Sequence, residues 1–371
     1  MAGRSGDLVP GMDLFSPVAL GDIELANRVV MAPLTRMRAG ASGVPNDLLV
    51  EHYAQRASLG LIITEGTYPN AESRAYPGQP GIVDDEQEAG WRRVADAVHA
   101  RGGKIVMQVM HGGRVSHTDI TGTDRIVAPS AIALQGEAHT PNGKAAYPVP
   151  HALTTEEARA TLADIVAASE RAIAAGLDGV EVHGANGYLL HEFLSPASNQ
   201  RDDVYGGTPE NRARFVVEVV TAVAQAVGAG KVGLRISPEH NIQDALETDR
   251  DDVRATYGAL LDGLRPLGLA YLSVLHAEPA GEFVQELRRR FAGPLIANSG
   301  FGTVTTRAEA VELIDAAHAE AVAVGRMAIA NPDLVERWVG AHPENTPNPA
   351  TFYAAGAEGY TDYPTLQLSQ S

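Results

Sequence analysis

The segment GVEVHGANGYLLHEF places His183, Asn186 and Tyr188 within six residues of one another. A histidine and an asparagine can each donate a hydrogen bond to one oxygen, and two neutral donors aimed at a carbonyl stabilise the enolate-like charge that develops on it. A tyrosine, with an ordinary pKa of about 10, keeps its proton at neutral pH and can deliver it to a carbanion. Taken singly, each has a plainer use: the histidine caps a helix, the asparagine fills a turn and the tyrosine packs. Arg235, in VGLRISP, brings a cation that needs a partner once buried. Either it pairs with Glu65 or Glu181, or it faces the electron-rich end of a cofactor ring. Gln108 offers a donor and an acceptor together, as a flat heterocycle with mixed edges requires. NSGFGT and VGRMAIANPDL add Ser299, Gly300, Gly325 and Arg326. Small residues let backbone N–H groups approach a phosphate, and a guanidinium binds it bidentately; the plain alternative is tight turns and an arginine paired with a carboxylate.

These residues need elements to bring them together, and the apolar runs supply them. RVVMAP (28–33), LIITEG (61–66), KIVMQVM (104–110), GVEVHG (179–184), VGLRIS (232–237), AYLSVL (270–275), PLIANSG (294–300) and AVAVGR (321–326) alternate with amphipathic stretches of helical period. Eight strand–helix units predict an α/β fold, a single (β/α)8 TIM barrel over residues 1–371, with flexible tails at 1–12 and 365–371. DDEQEAGWRRVADAVHARGG and LTTEEARATLADIVAASERAIAAG read as helices, the second capped by Thr154 or Thr155. VALGDIELAN reads as a hairpin turning at Gly21–Asp22 that plugs the N-terminal end of the barrel. Residues 112–152 form the longest irregular stretch, leave from the end of the third strand and are expected to act as a lid. Barrel chemistry sits at the C-terminal ends of the strands. Those ends nominate Pro33, Leu34, Thr35, Glu65, Gly66, Gln108, Met110, His111, His183, Asn186, Tyr188, Arg235, Asn298 to Gly300, Gly325 and Arg326.

Composition removes several classes. Basic residues number 29 and acidic ones 46, for a formal charge of −17, which repels nucleic acid and anionic membrane surfaces. With no cysteine there is no disulfide, thiolate zinc site, iron–sulfur cluster or cysteine nucleophile. No apolar run is long enough for a membrane span, and the opening MAGRSGDLVPGMDLF lacks the apolar core of a secretion signal, so a cytoplasmic protein is expected. No His-x-His pair follows the first strand, and Lys104, Lys144 and Lys231 all lie away from strand C-termini, which disfavours metallohydrolase and Schiff-base chemistry. No G-x-G-x-x-G follows any strand, so a nicotinamide would have to use the barrel mouth itself.

Several segments resemble the Old Yellow Enzyme family of FMN-dependent ene-reductases, from about Leu14 to Pro364. They are NRVVMAPLTRMRA (27–39), IITEGTY (62–68), MQVMHGGRVSH (107–117), HGANGYLLHEFLSPASNQRDDVYGGTPENRARF (183–215), VGRMAIANPDL (324–334) and TFYAAGAEGYTDYP (351–364). The resemblance implies non-covalent FMN, with NAD(P)H as reductant. Thr35 would contact the flavin, with Pro33, Leu34 and Gly66 along the ring, Gln108 and Arg235 at its pyrimidine side, and Ser299, Gly300, Gly325 and Arg326 around its phosphate. Phe352 and Tyr353 would form the aromatic edge, Tyr76 a pocket wall, and Met110 would stand where many relatives carry tryptophan. His183 and Asn186 would hold the carbonyl oxygen of an α,β-unsaturated substrate, and Tyr188 would protonate its α-carbon. The implied turnover is ping-pong: hydride passes from NAD(P)H to FMN, then to the substrate β-carbon. A monomer or homodimer is expected, with no nucleic-acid or membrane partner. The rival readings are a flavin reservoir or sensor with little turnover, and a colourless phosphosugar isomerase.

Overall fold

The computed structural model describes residues 13–366. Eight parallel strands close into a barrel: β1 (Val29–Met31), β2 (Leu61–Ile63), β3 (Ile105–Val109), β4 (Gly179–Gly184), β5 (Val232–Ile236), β6 (Tyr271–Leu275), β7 (Leu295–Asn298) and β8 (Ala321–Val324). Each pairs with its sequence neighbour, and β8 closes on β1 through Val322–Val29 and Val324–Met31. The strands read as continuous apolar runs because both faces are buried, one against helices and one inside the barrel. Outside lie α1 (Asp47–Ala54), α2 (Asp85–His99), α3 (Thr155–Ala174), α4 (Pro209–Val227), α5 (Arg250–Leu264), α6 (Glu282–Phe291), α7 (Arg307–Asp315) and α8 (Leu334–Val339). This is the expected (β/α)8 barrel.

Helices α2 and α3 both start at a capped end, the second at Thr154 as predicted. Asp84 accepts the Gln87 N–H at the start of α2, and acidic residues fill that helix's first turn, where the helix dipole favours them. Thr154 and Glu157 form a reciprocal capping box at α3: the Thr154 hydroxyl accepts the Glu157 N–H at 3.1 Å, and the Glu157 carboxylate accepts the Thr154 N–H at 2.8 Å.

The barrel interior changes character along its axis. At the N-terminal end the hairpin Val18–Leu20/Ile23–Leu25 inserts Leu20, Ile23 and Leu25 against Val30, Leu61, Ile63, Val106, Tyr271, Ile296 and Ala321. This is the expected plug. Gly233 on β5 has a packing reason: a Cβ there would come within 2.2 Å of Tyr271 Cζ, so the ring fills the barrel only because residue 233 has no side chain. Toward the C-terminal end the inward positions become polar: Gln108, Glu181, His183, Arg235, Ser273 and Asn298 are all buried. An apolar floor beneath a polar layer confines ligand chemistry to one mouth.

Residues 112–152 are folded, with a helical turn (Thr118–Thr121), a hairpin (Glu137–Thr140 with Gly143–Ala146) and a bridge from Val127–Ala128 to His151–Ala152. Their Val115, Leu134 and Tyr147 pack with Met110 and Tyr188, so the segment forms a wall over the mouth. Leu366 donates its N–H to Asp333, while the rest of the expected tails, 1–12 and 367–371, lies outside the described residues.

Candidate active site

The polar layer is built by strand register. Parallel pairing sets Glu181 beside Gln108, His183 beside Arg235, and Arg235 beside Ser273. Gln108 donates from Nε2 to Glu181 Oε1 at 2.8 Å. Arg235 donates from Nη1 to Ser273 Oγ at 3.0 Å and from Nη2 to Asn298 Oδ1 at 3.3 Å, and Asn298 in turn donates to the Ala323 carbonyl. Among the described residues Arg235 has neither Glu65 nor Glu181 as a hydrogen-bond partner, and its Nε–H is buried without an acceptor. Burial lowers its pKa from the usual arginine value, against the pull of Glu181; burial likewise raises Glu181, against the pull of Arg235. A buried guanidinium held by neutral oxygens, with its Nε–H spare, is matched to an acceptor brought by a ligand.

His183 is buried, with Nδ1 unpartnered, and desolvation followed by the Arg235 charge holds its pKa well below the usual histidine value. It is a neutral imidazole, a donor without charge. Asn186 lies just past β4 in the left-handed region at φ 58°, which asparagine adopts more readily than most non-glycine residues. Its N–H donates to Ser237 Oγ at 2.8 Å, and its carbonyl accepts from Gln243 Nε2 at 2.9 Å. The backbone is pinned, while the side-chain Oδ1 is buried with no protein partner.

Tyr188 starts the short helix Leu189–Leu194, and its ring centroid is 5.3 Å from that of His183. Its hydroxyl lies 2.7 Å from the Tyr76 hydroxyl. Burial pushes the Tyr188 pKa up, and the hydrogen bond from Tyr76 opposes this. Burial also raises Tyr76, which the neighbouring Tyr188 raises further. Both phenols are therefore protonated at neutral pH.

The remaining nominated residues lie around this layer. Pro33, Leu34 and Thr35 are half-buried at the end of β1. Gly66 is buried, and a Cβ on it would reach 2.5 Å from Met110 Sδ, so its smallness lets Met110 close over the strand end. Met110 is itself buried with Ala75, Val115, Leu134 and Tyr188. Ser299 is buried with its hydroxyl 3.2 Å from Thr305 Oγ1, and Gly300 takes φ 93°. Arg326 donates from Nη2 to the Phe301 carbonyl, tying the loops after β7 and β8 together rather than pairing with a carboxylate. Phe352 is half-buried, with its carbonyl held by Arg36 and Arg38; Tyr353 is 65% exposed at the rim.

Supporting residues hold the mouth in shape: Glu65, nominated from the end of the second strand, and Arg36, Arg38 and Glu192, which the sequence reading missed. Glu65 accepts the Arg36 and Met37 N–H groups at 2.9 and 3.1 Å, bracing the segment that carries Thr35. Burial raises its pKa to about 7 against those donors. Arg36 and Arg38 donate to backbone carbonyls between Thr351 and Gly359, clasping the C-terminal segment to the mouth. Glu192 accepts the Arg114 N–H and is raised by burial to about 8. The signal that could have exposed the missed ones is a charged residue inside an otherwise apolar segment, such as Glu192 in YLLHEF.

Known proteins share this layout. The model of the NADH:flavin oxidoreductase / NADH oxidase family matches residues 13–345. A probable flavin mononucleotide-dependent alkene reductase of Leishmania infantum is 44% identical over 362 residues, covering 95% of this chain and 97% of its own length. Among solved structures, morphinone reductase superposes with a TM-score of 0.90 at 42% identity, covering 97% of this chain and 98% of its own. An old yellow enzyme homologue from Zymomonas mobilis does so with a TM-score of 0.90 at 37% identity, covering 95% and 100%. The eight-stranded barrel and near-full-length similarity agree, and the chain belongs to the NADH:flavin oxidoreductase / NADH oxidase family, as an Old Yellow Enzyme type member.

Proposed function

We propose that this protein is an FMN-dependent ene-reductase that takes reducing equivalents from a nicotinamide coenzyme and delivers them to α,β-unsaturated carbonyl compounds at one mouth. The residues present fit the cofactor. The spare buried Nε–H of Arg235 and the mixed donor and acceptor of Gln108 suit the pyrimidine edge of a flavin. Half-buried Pro33, Leu34 and Thr35, with Gly66, offer a surface for the ring, and Phe352 an aromatic edge. Ser299, Gly300, Gly325 and Arg326 would take the phosphate, on loops that Arg326 already ties together. FMN, when bound, supplies the hydride chemistry that no side chain here can perform.

The chain's own residues do the rest. His183 offers a buried Nδ1 without a protein partner, and beside it the Asn186 side-chain amide would donate from its NH2 to the carbonyl oxygen that a substrate brings. Because His183 is neutral, it polarises that oxygen by hydrogen bonding rather than by a full charge. Tyr188 holds a proton on its hydroxyl and delivers it to the substrate α-carbon. Tyr76, 2.7 Å away, donates to the phenolate oxygen left behind. Met110, Val115 and Leu134 exclude water around Tyr188, while Tyr353 stands at the rim where substrates enter.

One observation carries this reading: a neutral histidine with a buried, unpartnered Nδ1 and an asparagine on a pinned backbone share a buried mouth with a protonated phenol. The morphinone reductase structure with tetrahydroNAD supports a nicotinamide as the reductant. The test is anaerobic. Purified protein should be yellow, bleach on adding NADH or NADPH, and recover its colour on adding 2-cyclohexenone. A colourless protein that takes up no FMN overturns the proposal, and a bleached protein that no enone reoxidises leaves the reservoir reading in its place.

A further inference from the structure

Resting on the ene-reductase reading, we infer that His191 and Glu247 are positioning residues for the carbonyl clamp, holding the turn that presents Asn186. Asn186 and Gly187 are consecutive left-handed residues, at φ 58° and 79°. Gly187 must be glycine on a second count, since a Cβ would come within 2.7 Å of Gln243 Cβ and 2.8 Å of the Ile242 carbonyl. Such a turn keeps its shape only if its polar groups are held. The Gly187 N–H donates to His191 Nδ1 at 2.9 Å. That bond fixes the tautomer: Nδ1 accepts, so the ring proton is on Nε2, which faces Glu247 Oε1 at 3.1 Å. The two side chains are 0% and 2% exposed.

Glu247 is itself clamped. Its Oε1 also accepts the Tyr257 hydroxyl at 2.9 Å, its Oε2 accepts the Glu239 N–H at 2.8 Å, and its own N–H donates to Asn241 Oδ1 at 2.6 Å. The loop that delivers it is strained. Glu239, Asn241, Gln243 and Asp244 all have φ between 52° and 60°, which L side chains seldom adopt. Backbone of that kind persists where contacts over-determine it, and it collects at functional sites. Here the contacts converge on the clamp turn: Gln243 Nε2 on the Asn186 carbonyl, Ser237 on the Asn186 N–H, and Glu247 on His191. A histidine–carboxylate pair this deeply buried is a poor source of stability compared with apolar packing. What an apolar residue at 191 cannot do is accept the buried Gly187 N–H and so keep Asn186 aimed.

The test separates positioning from packing. Asparagine at 191 would set its Oδ1 where His191 Nδ1 now accepts; leucine would fill the volume and accept nothing. FMN-loaded wild type, H191N, H191L and E247Q are titrated with para-hydroxybenzaldehyde, whose phenolate probes the clamp, and assayed for kcat and KM with 2-cyclohexenone. H191L should bind the phenolate at least tenfold more weakly and lose at least tenfold in kcat/KM. H191N should stay within about threefold of wild type on both measures, and E247Q should fall between the two. H191L matching wild type, or H191N failing as badly as H191L, overturns the inference. If H191L does not load FMN, H191N and E247Q decide: the positioning role requires H191N to be the milder, and an E247Q indistinguishable from wild type overturns it. A wild-type holoenzyme that binds no phenolate sinks the clamp, and with it the function proposed above, whereas failure confined to the variants sinks only the positioning role.

Discussion

Replacing Tyr76 by phenylalanine removes one atom, and the structure sets the size of the effect. The Tyr76 and Tyr188 hydroxyls are 2.7 Å apart in a mouth where burial already works against a charged phenol. When Tyr188 gives up its proton, a negative charge develops on its oxygen, and the Tyr76 hydroxyl is the donor that meets it. A hydrogen bond to a charged group in such surroundings is worth roughly 1.5–3 kcal/mol. At about 1.4 kcal/mol per decade, protonation of substrate should slow by roughly ten- to a hundredfold. The direction agrees with the pKa logic, because losing the Tyr76 donor leaves burial unopposed by that bond and makes Tyr188 a weaker acid. Stopped-flow absorbance under anaerobic conditions measures it: the pre-reduced protein is mixed with 2-cyclohexenone, and separately the oxidised protein with nicotinamide. The first reaction should slow and the second should hold. In a Tyr188→Phe background the same change should add almost nothing, since the two residues act on one proton. An unchanged enone reaction, equal slowing of both reactions, or additive effects in the double variant would each refute the pairing.

Three other outcomes follow from the geometry. His183→Ala should weaken phenolate binding about tenfold, the worth of one well-placed donor of about 1.4 kcal/mol; in the wild type, the binding curve should show no histidine step near pH 6–7, because His183 is held neutral well below that range. Gly233→Ala should lower stability by about 1–3 kcal/mol through overpacking against the buried Tyr271 ring, seen as a lower urea midpoint, and an unmoved midpoint would contradict the plug geometry. Glu192→Gln should flatten the pH dependence of stability. The Glu192 pKa rises on folding to about 8, so the folded state binds its proton more tightly; the resulting stability is complete below the unfolded value, fades as pH rises and is gone above about 8. The contribution is on the order of 5 kcal/mol, and Glu65, raised to about 7, acts in the same direction and leaves a residual slope. A wild-type urea midpoint that does not fall between pH 5 and 8 would contradict this.

What could be read from the chain beforehand divides along a physical line. The strands were legible because burial on both faces writes continuous apolar β-branched runs, and the cap at Thr154 because capping depends on residues within one helical turn. His183, Asn186 and Tyr188 were legible because they lie together in sequence at the end of one strand, so knowing where β4 stops fixes their neighbourhood. Arg235 was placed correctly at the mouth, but its partners were not, since Ser273 and Asn298 lie 38 and 63 residues away and are joined to it only by barrel closure.

The loop from 236 to 248 marks where local reasoning stops. Nothing in ISPEHNIQDALET shows that glutamate, asparagine, glutamine and aspartate will each adopt a left-handed backbone, because glycine is the residue type that ordinarily signals it. The conformation is imposed from outside, by a turn some fifty residues earlier whose amide and carbonyl groups need partners: Ser237 is 51 residues from Asn186, Gln243 is 57 from it, and Glu247 is 56 from His191. Local preference and tertiary demand conflict in this loop, and the demand prevails because an unpaired buried N–H costs about as much as the strain. Conflicts of that kind collect where a protein does its work. This loop, which carries no recognisable motif, packs directly against the residues proposed to bind the substrate.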